Sequence, residues 1–381
     1  MNNLLFFAAL FIELTAVLIE GSDLILPAEG MLFRVTFILF LLSAVIGLIK
    51  RRKKGIRGML LMLAPGGTGE LCIYILAGIL FTVSYFVTGR NELLRILVFV
   101  YAAANMDSSR INRSCLFVTA AGTLLIVLLS LSGIFGIQKL FQDFGSGPEL
   151  RYCFGFGHPN ALHCMAAMLL MLYFYIYGSV CGWYVYVILG IGNILLYTLT
   201  RSNSGFIIVM AAVILNAAAR IFPKAGKPVY LAAEAVFAAE LVFSYLAAAY
   251  GYSIPMLQKL DRFLTGRIAS LYETNRQEGT VSTWSLFSAP RNVYYFDMGW
   301  VRLFYWYGII PAAFCVGIVF WLYRRMRQEN DLKGLVFLLC LCTYTVVEAH
   351  IISVFILRNL ILLLIIRYEG ASWRKNIESE N

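Results

Sequence analysis

Residues 115–137, CLFVTAAGTLLIVLLSLSGIFGI, contain no charged side chain. A run of this kind narrows the choice of fold at once. A helix needs roughly 20 consecutive apolar residues to cross a hydrocarbon core. Only helices and closed barrels satisfy their own backbone there, and this run is too long for a barrel strand. Similar runs recur along the chain, whose 381 residues are 60% hydrophobic and only 14% charged, well below the charge of an average soluble domain. The expectation is an all-α, polytopic transmembrane helical bundle, with residues 1–381 forming a single integral membrane domain. No soluble domain, low-complexity tract or clear internal repeat stands out.

Twelve spans are expected, at about 3–19, 31–49, 69–88, 92–106, 115–137, 159–178, 182–200, 204–219, 229–250, 299–322, 335–349 and 351–366. The first contains Glu13 and lacks a clear small-residue cleavage site, so it reads as a retained helix and not a signal peptide. The stretch MLLMLAPGGTG at 59–69 reads as interfacial. Orientation follows from the short loops. KRRKKGIR (50–57), RIFPKAGK (220–227), RRMRQENDLK (324–333), Arg110, Arg113 and the tail residues Arg367, Arg374 and Lys375 all fall on one side. The positive-inside rule makes that side cytoplasmic, with both termini there. The net charge of +10 is then explained by loops beside anionic lipid, and no nucleic acid is implied.

The other side holds 138–158, the junction at Arg201 and a long extracytoplasmic loop, 251–298. That loop carries Lys259, Arg262, Arg267, Arg276 and Arg291. Long loops are largely exempt from the charge rule. Cations therefore gather where orientation does not require them, which suggests an anionic ligand.

The first motif on that side is Arg151-Tyr152-Cys153-Phe154-Gly155-Phe156-Gly157-His158-Pro159-Asn160. Pro159 suits the first position of a helix, whose free N–H groups would then face outward as an anion site. Arg151 and His158 add side-chain donors, and a guanidinium grips phosphate in a bidentate way. The plain alternative is an ordinary helix start with an interfacial arginine. The second motif is Thr200-Arg201-Ser202-Asn203-Ser204-Gly205, with three good N-caps in a row. Arg201 ends an apolar helix with no acid nearby in sequence, which marks a functional candidate unless it snorkels to the headgroups. Thr265-Gly266-Arg267 follows in the long loop, after Asp261 and Arg262. Asp297, before the tenth span, reads first as a helix cap and second as a base. Glu348 and His350 sit at the last outer turn, where either is a candidate general base. Glu240 and Arg358 fall near mid-membrane, where a structural ion pair and a proton pathway are the two readings.

The eight cysteines show no CxxC pair of metal-like spacing. Cys153 and Cys164 both fall near the outer face, although spacing alone does not bring a disulfide pair together. His158, His163 and His350 are the only histidines, and a metal site would need distant carboxylates as well, so no metal or other cofactor is expected. No P-loop, dinucleotide fingerprint or nucleophile elbow is present.

In order and spacing, Arg-x-x-x-Gly-x-x-His-Pro-Asn at 151–160, Thr-Arg-Ser-x-Ser-Gly at 200–205 and Thr-Gly-Arg at 265–267 resemble the O-antigen polymerase and ligase superfamily. The likeness is to the Wzy-type repeat-unit polymerases of capsule and exopolysaccharide clusters, and it covers roughly 90–367. Phe296-Asp297-Met298-Gly299 is similar to their Asp-Asn-x-Tyr segment, with Met298 in place of the usual Asn. Glu348 followed by Arg358-Asn359 resembles their C-terminal end. The resemblance implies a GT-C-like fold and a metal-independent inverting glycosyltransferase in a bacterial inner or plasma membrane. The donor it implies is an undecaprenyl-diphosphate-linked glycan, and a chain-length regulator is the protein partner. Arg151, Arg201 and Arg267 would contact the diphosphate, with His158, Asn160, Ser202 and Ser204 beside them. The general base stays open among His158, Glu348, Asp297 and His350. Three other readings remain: a ligase passing the glycan to another acceptor, a lipid-linked sugar flippase or transporter, and a membrane subunit without activity. A transporter would favour two related halves with matching broken helices, and no such pairing is visible.

Overall fold

A computed structural model of the protein describes residues 2–25, 29–52, 68–104, 106–143, 147–251, 253–274, 277–353 and 355–378. Part of the basic cluster (53–57), most of the 59–69 stretch and Arg276 lie outside the described residues. The helices are α1 (Asn2–Glu20), α2 (Glu29–Arg52), α3 (Thr68–Thr88), α4 (Glu92–Ala103), α5 (Ser108–Leu131), α6 (Pro159–Tyr177), α7 (Trp183–Thr200) and α8 (Asn203–Ile221). They continue as α9 (Lys227–Tyr250), α10 (Pro255–Phe263), α11 (Gly299–Tyr307), α12 (Ile309–Glu329), α13 (Leu332–Val347) and α14 (Ile361–Glu378). Among the described residues, eight helices are long and apolar enough to cross a membrane. Residues 72–88 and α13 are shorter apolar helices. The chain is a helical membrane protein.

The bundle departs from the expected spans in three places. Residues 299–322, expected as one span, break into α11 and α12 at Gly308. Gly308 has φ 89°, and a Cβ there would come within 2.6 Å of the Phe287 Cα, so only glycine fits. The expected span 351–366 begins as irregular chain with 3-10 turns at His350–Ile352 and Ile356–Arg358, and becomes α-helix only at Ile361. Residues 132–137, placed in the fifth span, lie beyond the end of α5. They lead into a hairpin, β1 (Lys139–Asp143) antiparallel to β2 (Pro148–Tyr152), with Lys139 opposite Tyr152.

α13 has no polar stripe, and apolar side chains are buried all round it, from Leu335 to Tyr344. A helix of that kind belongs at the centre of a bundle, and α13 packs on α6, α8, α9, α11, α12 and α14. Glu348 caps its C-terminus and is buried. Lipid supplies little hydrophobic drive for helix pairing, so packing and polar cross-links hold such helices together. His163 of α6 is one such link. Its ring nitrogens meet Thr200 Oγ1 and Asn193 Oδ1 of α7, both at 2.9 Å. Asn193 donates in turn to the Phe206 carbonyl of α8 at 3.0 Å. At Gly205 a Cβ would stand 2.6 Å from the His163 ring, so glycine lets α8 close on α6.

Two pairings that the sequence left open are not formed. Glu240 and Arg358 each have another partner: Thr343 Oγ1 donates to Glu240 at 2.5 Å, and Arg358 pairs with Glu20 at 2.6 Å. Sequence places both at a similar depth but does not say which way each helix face turns. Cys153 and Cys164 are free thiols, one against the Ile137 carbonyl and the other against the Tyr344 hydroxyl.

Candidate functional site

Beside the C-terminal half of α13 lies a cavity of about 850 Å³. One end is polar and carries Arg151, His158, Asn160, Arg201, Ser204, Arg267 and Asp297. The other is mostly apolar, walled by Ile207 and Ile208 of α8, Val236, Ala239 and Phe243 of α9, and Val346 and Val347 of α13, with the bonded pair Glu240 and Thr343 among them. Residues more than a hundred positions apart therefore converge.

Each cation is set by its local backbone. The α6 helix starts at Pro159, and His158 is its N-cap, its Nδ1 accepting from the Asn160 N–H at 3.2 Å. A neutral imidazole used this way carries its proton on Nε2. Burial, reinforced by the Arg151 cation, holds His158 below the ordinary histidine range. With its proton there, His158 offers the cavity an N–H donor. Arg151 is held by Glu149, with a 2.8 Å bond at Nε. Arg201 caps α7 with φ 53°, a left-handed conformation that strains a side-chain-bearing residue. Its exposed guanidinium makes no hydrogen bond or ion pair among the described residues.

Arg267 is enclosed. Its Nε donates to the Val347 carbonyl at 2.6 Å, one terminal nitrogen donates to Thr265 Oγ1 at 2.7 Å, and the other bonds Glu348. Asp297 stands 3.8 Å from the same guanidinium. The loop keeps this shape because Asp261 accepts from the Ile268 and Ala269 N–H groups at 2.6 and 3.1 Å. Ser204 Oγ donates to Glu348 at 3.2 Å. Burial raises the Glu348 carboxyl above the usual range, to about 7, outweighing the downward pull of Arg267.

Three expectations are corrected. Asp297 is not a helix cap: Met298 holds that position and Asp297 faces Arg267. His350 does not line the cavity. It is buried against the Tyr344 ring, and burial with the Arg358 and Arg302 cations pushes its pKa down to about 3. Ser202 is buried at the N-cap of α8 without a side-chain cap bond, and it too lies off the cavity.

Arg302 escaped the sequence reading. It is a lone charge in an apolar stretch, which was the available signal. It is buried between the Tyr295 and Trp306 rings, 4.0 and 4.5 Å from their centroids, and donates to the Ala349 carbonyl. One group among the described residues could gather around a metal ion: Cys164, Glu348 and His350, whose ligand atoms lie within 4.8 Å of one another. Glu348 and Cys164 are already engaged, and Arg267, Arg302 and Arg358 set an unfavourable field for a dication. Comparison of the chain with family models, curated proteins and solved structures finds no match.

Proposed function

We propose that the protein is a membrane glycosyltransferase that polymerises undecaprenyl-diphosphate-linked repeat units on the extracytoplasmic face of a bacterial membrane, through a twelve-span, GT-C-like bundle with both termini inside. The observation that carries the reading is the Arg201 guanidinium, without a partner among the described residues, set beside Arg151 and Arg267 at the polar end of a cavity whose other end is mostly apolar. An anionic head on a long lipid chain matches that division.

In the proposed reaction the anomeric C–O bond to the diphosphate breaks, and the electron pair leaves on the diphosphate. Arg201, Arg151 and Arg267, with the His158 Nε2–H, stabilise that charge. The acceptor hydroxyl oxygen attacks from the opposite face and forms the new glycosidic bond. Its proton passes to Ser204 Oγ at the cavity wall, whose own proton passes to Glu348 behind it, a carboxylate whose raised pKa suits a base near neutral pH. Glu348 is tied to Arg267. A diphosphate competing for that guanidinium frees the carboxylate.

The test is deletion of the gene in its host, with lipid-linked and surface glycans resolved on a gel. Wild type, Arg201→Ala and Lys224→Gln, a cytoplasmic-loop control, are returned at equal membrane levels. Single repeat units that accumulate outside, restored to a ladder by wild type and the control alone, support the proposal. Long chains stranded on their lipid make the protein a ligase. Repeat units trapped inside make it a flippase.

A further inference from the structure

A second cavity, of about 710 Å³, lies between α3, α4, α11, α12 and α14 and shares no lining residue with the first. Its walls are apolar, with Ala77 and Phe81 on α3, Leu97 on α4, Leu303 on α11, Phe314 on α12 and Leu362 on α14. Its charges are gathered at one end: Arg325 and Glu329 on α12 and Glu369 on α14, beside the Tyr74 hydroxyl, which donates to Glu369 at 3.0 Å. Arg325 and Glu329 are four residues apart and so share a helix face. Fifteen residue steps separate Phe314 from Glu329, about 22 Å at 1.5 Å per residue. One leaflet's hydrocarbon is about 15 Å deep, so the groove can follow an acyl chain through that leaflet up to its headgroup.

We propose that this groove binds a phospholipid with a primary-amine headgroup, of the phosphatidylethanolamine type, in the leaflet opposite the arginine cavity. Charge complementarity selects the headgroup. The Arg325 fork matches a phosphate, and the two carboxylates match an ammonium that still has N–H donors. A choline headgroup presents no N–H to them. A glycerol headgroup brings the phosphate's negative charge to two carboxylates without an ammonium to offset it. The proposal does not rest on the polymerase reading.

The test is lipid retention by the purified full-length chain, stripped in detergent and offered phosphatidylethanolamine, phosphatidylcholine or phosphatidylglycerol of identical chains. Retained lipid is read by native mass spectrometry and stabilisation by Tm. The ethanolamine lipid is retained most and raises Tm most. Arg325→Gln and Glu329→Gln, both at the charged end of the groove, each lower its retention about tenfold, as expected for one lost charge-assisted hydrogen bond. Ile73→Trp, at a half-exposed wall position, lowers retention of all three lipids together. Arg201→Ala leaves retention unchanged. Equal retention of the three headgroups by wild type, or unaltered ethanolamine-lipid retention in Arg325→Gln, overturns the proposal. So does an equal loss in Arg201→Ala, which would put the lipid in the other cavity.

Discussion

Arg201 combines two features that usually oppose each other, a strained backbone and an unsatisfied charge. Its φ of 53° suits glycine better than arginine, and a left-handed residue costs roughly 1–2 kcal/mol. Arg201→Gly should therefore melt no lower than wild type, and up to about 2 kcal/mol more stable by that measure. Its polymer ladder should nonetheless fail as completely as that of Arg201→Ala. A stable, active Arg201→Gly would remove the residue from the site. Glu348 carries the second residue-scale prediction. Its raised pKa means that the basic form accumulates only as pH rises, so the single-turnover rate should climb with pH to a plateau. Glu348→Gln should lose roughly 10²–10⁴ in rate, the usual worth of a general base, while still binding the lipid-linked donor. A single-turnover pH profile that stays flat across the range in which the protein is folded would remove Glu348 from the role of base. These residues were visible in sequence because charge is scarce in an apolar chain. The tie between Glu348 and Arg267 was not, since it depends on how the 251–298 loop folds back over α13.

Helix starts read from local chemistry agree closely with the structure. Pro159 opens α6, and α8 begins within the Ser-Asn-Ser run. Breaks inside apolar runs were hidden, because glycine is tolerated within membrane helices and Gly308 announces its φ only through its contact with Phe287. The irregular chain from Glu348 to Leu360 was hidden for another reason, since its anchor is remote in sequence. Glu13 of α1 pairs with Arg95 of α4 at 3.0 Å and accepts the Ile356 N–H at 3.0 Å. Both side chains are almost wholly buried, at 1% and 3% exposure. Arg95→Leu leaves that carboxylate unpaired, which should cost about 3–5 kcal/mol and lower Tm in detergent. Glu13→Gln in the same chain removes the charge but keeps an acceptor for Ile356, and should recover most of the loss. A double variant that melts as low as Arg95→Leu would show that the pair's charge does not matter to the anchor.

For the whole molecule, the decisive property is the side of the membrane on which the arginine cavity opens. Charge counting places 220–227 and 324–333 together, and the structure keeps neighbours of those segments at a common end: Lys333 bonds Ser179, Arg327 pairs with Glu234, and Arg367 pairs with Asp331. Arg151, Arg201 and Arg267 share the cavity beside the opposite end of α13. Geometry thus fixes which segments go together, and the loop charges supply only the sign. A membrane-impermeant thiol reagent applied to whole cells reads that sign directly. Val293→Cys and Lys224→Cys suit the purpose, since both side chains are exposed and lie in opposite groups. The one exposed native thiol, Cys72, is first changed to Ser. Position 293 should react in intact cells, and position 224 only after permeabilisation. The reverse pattern would put the cavity on the cytoplasmic side, where the same arginines would face substrates before export and not after it.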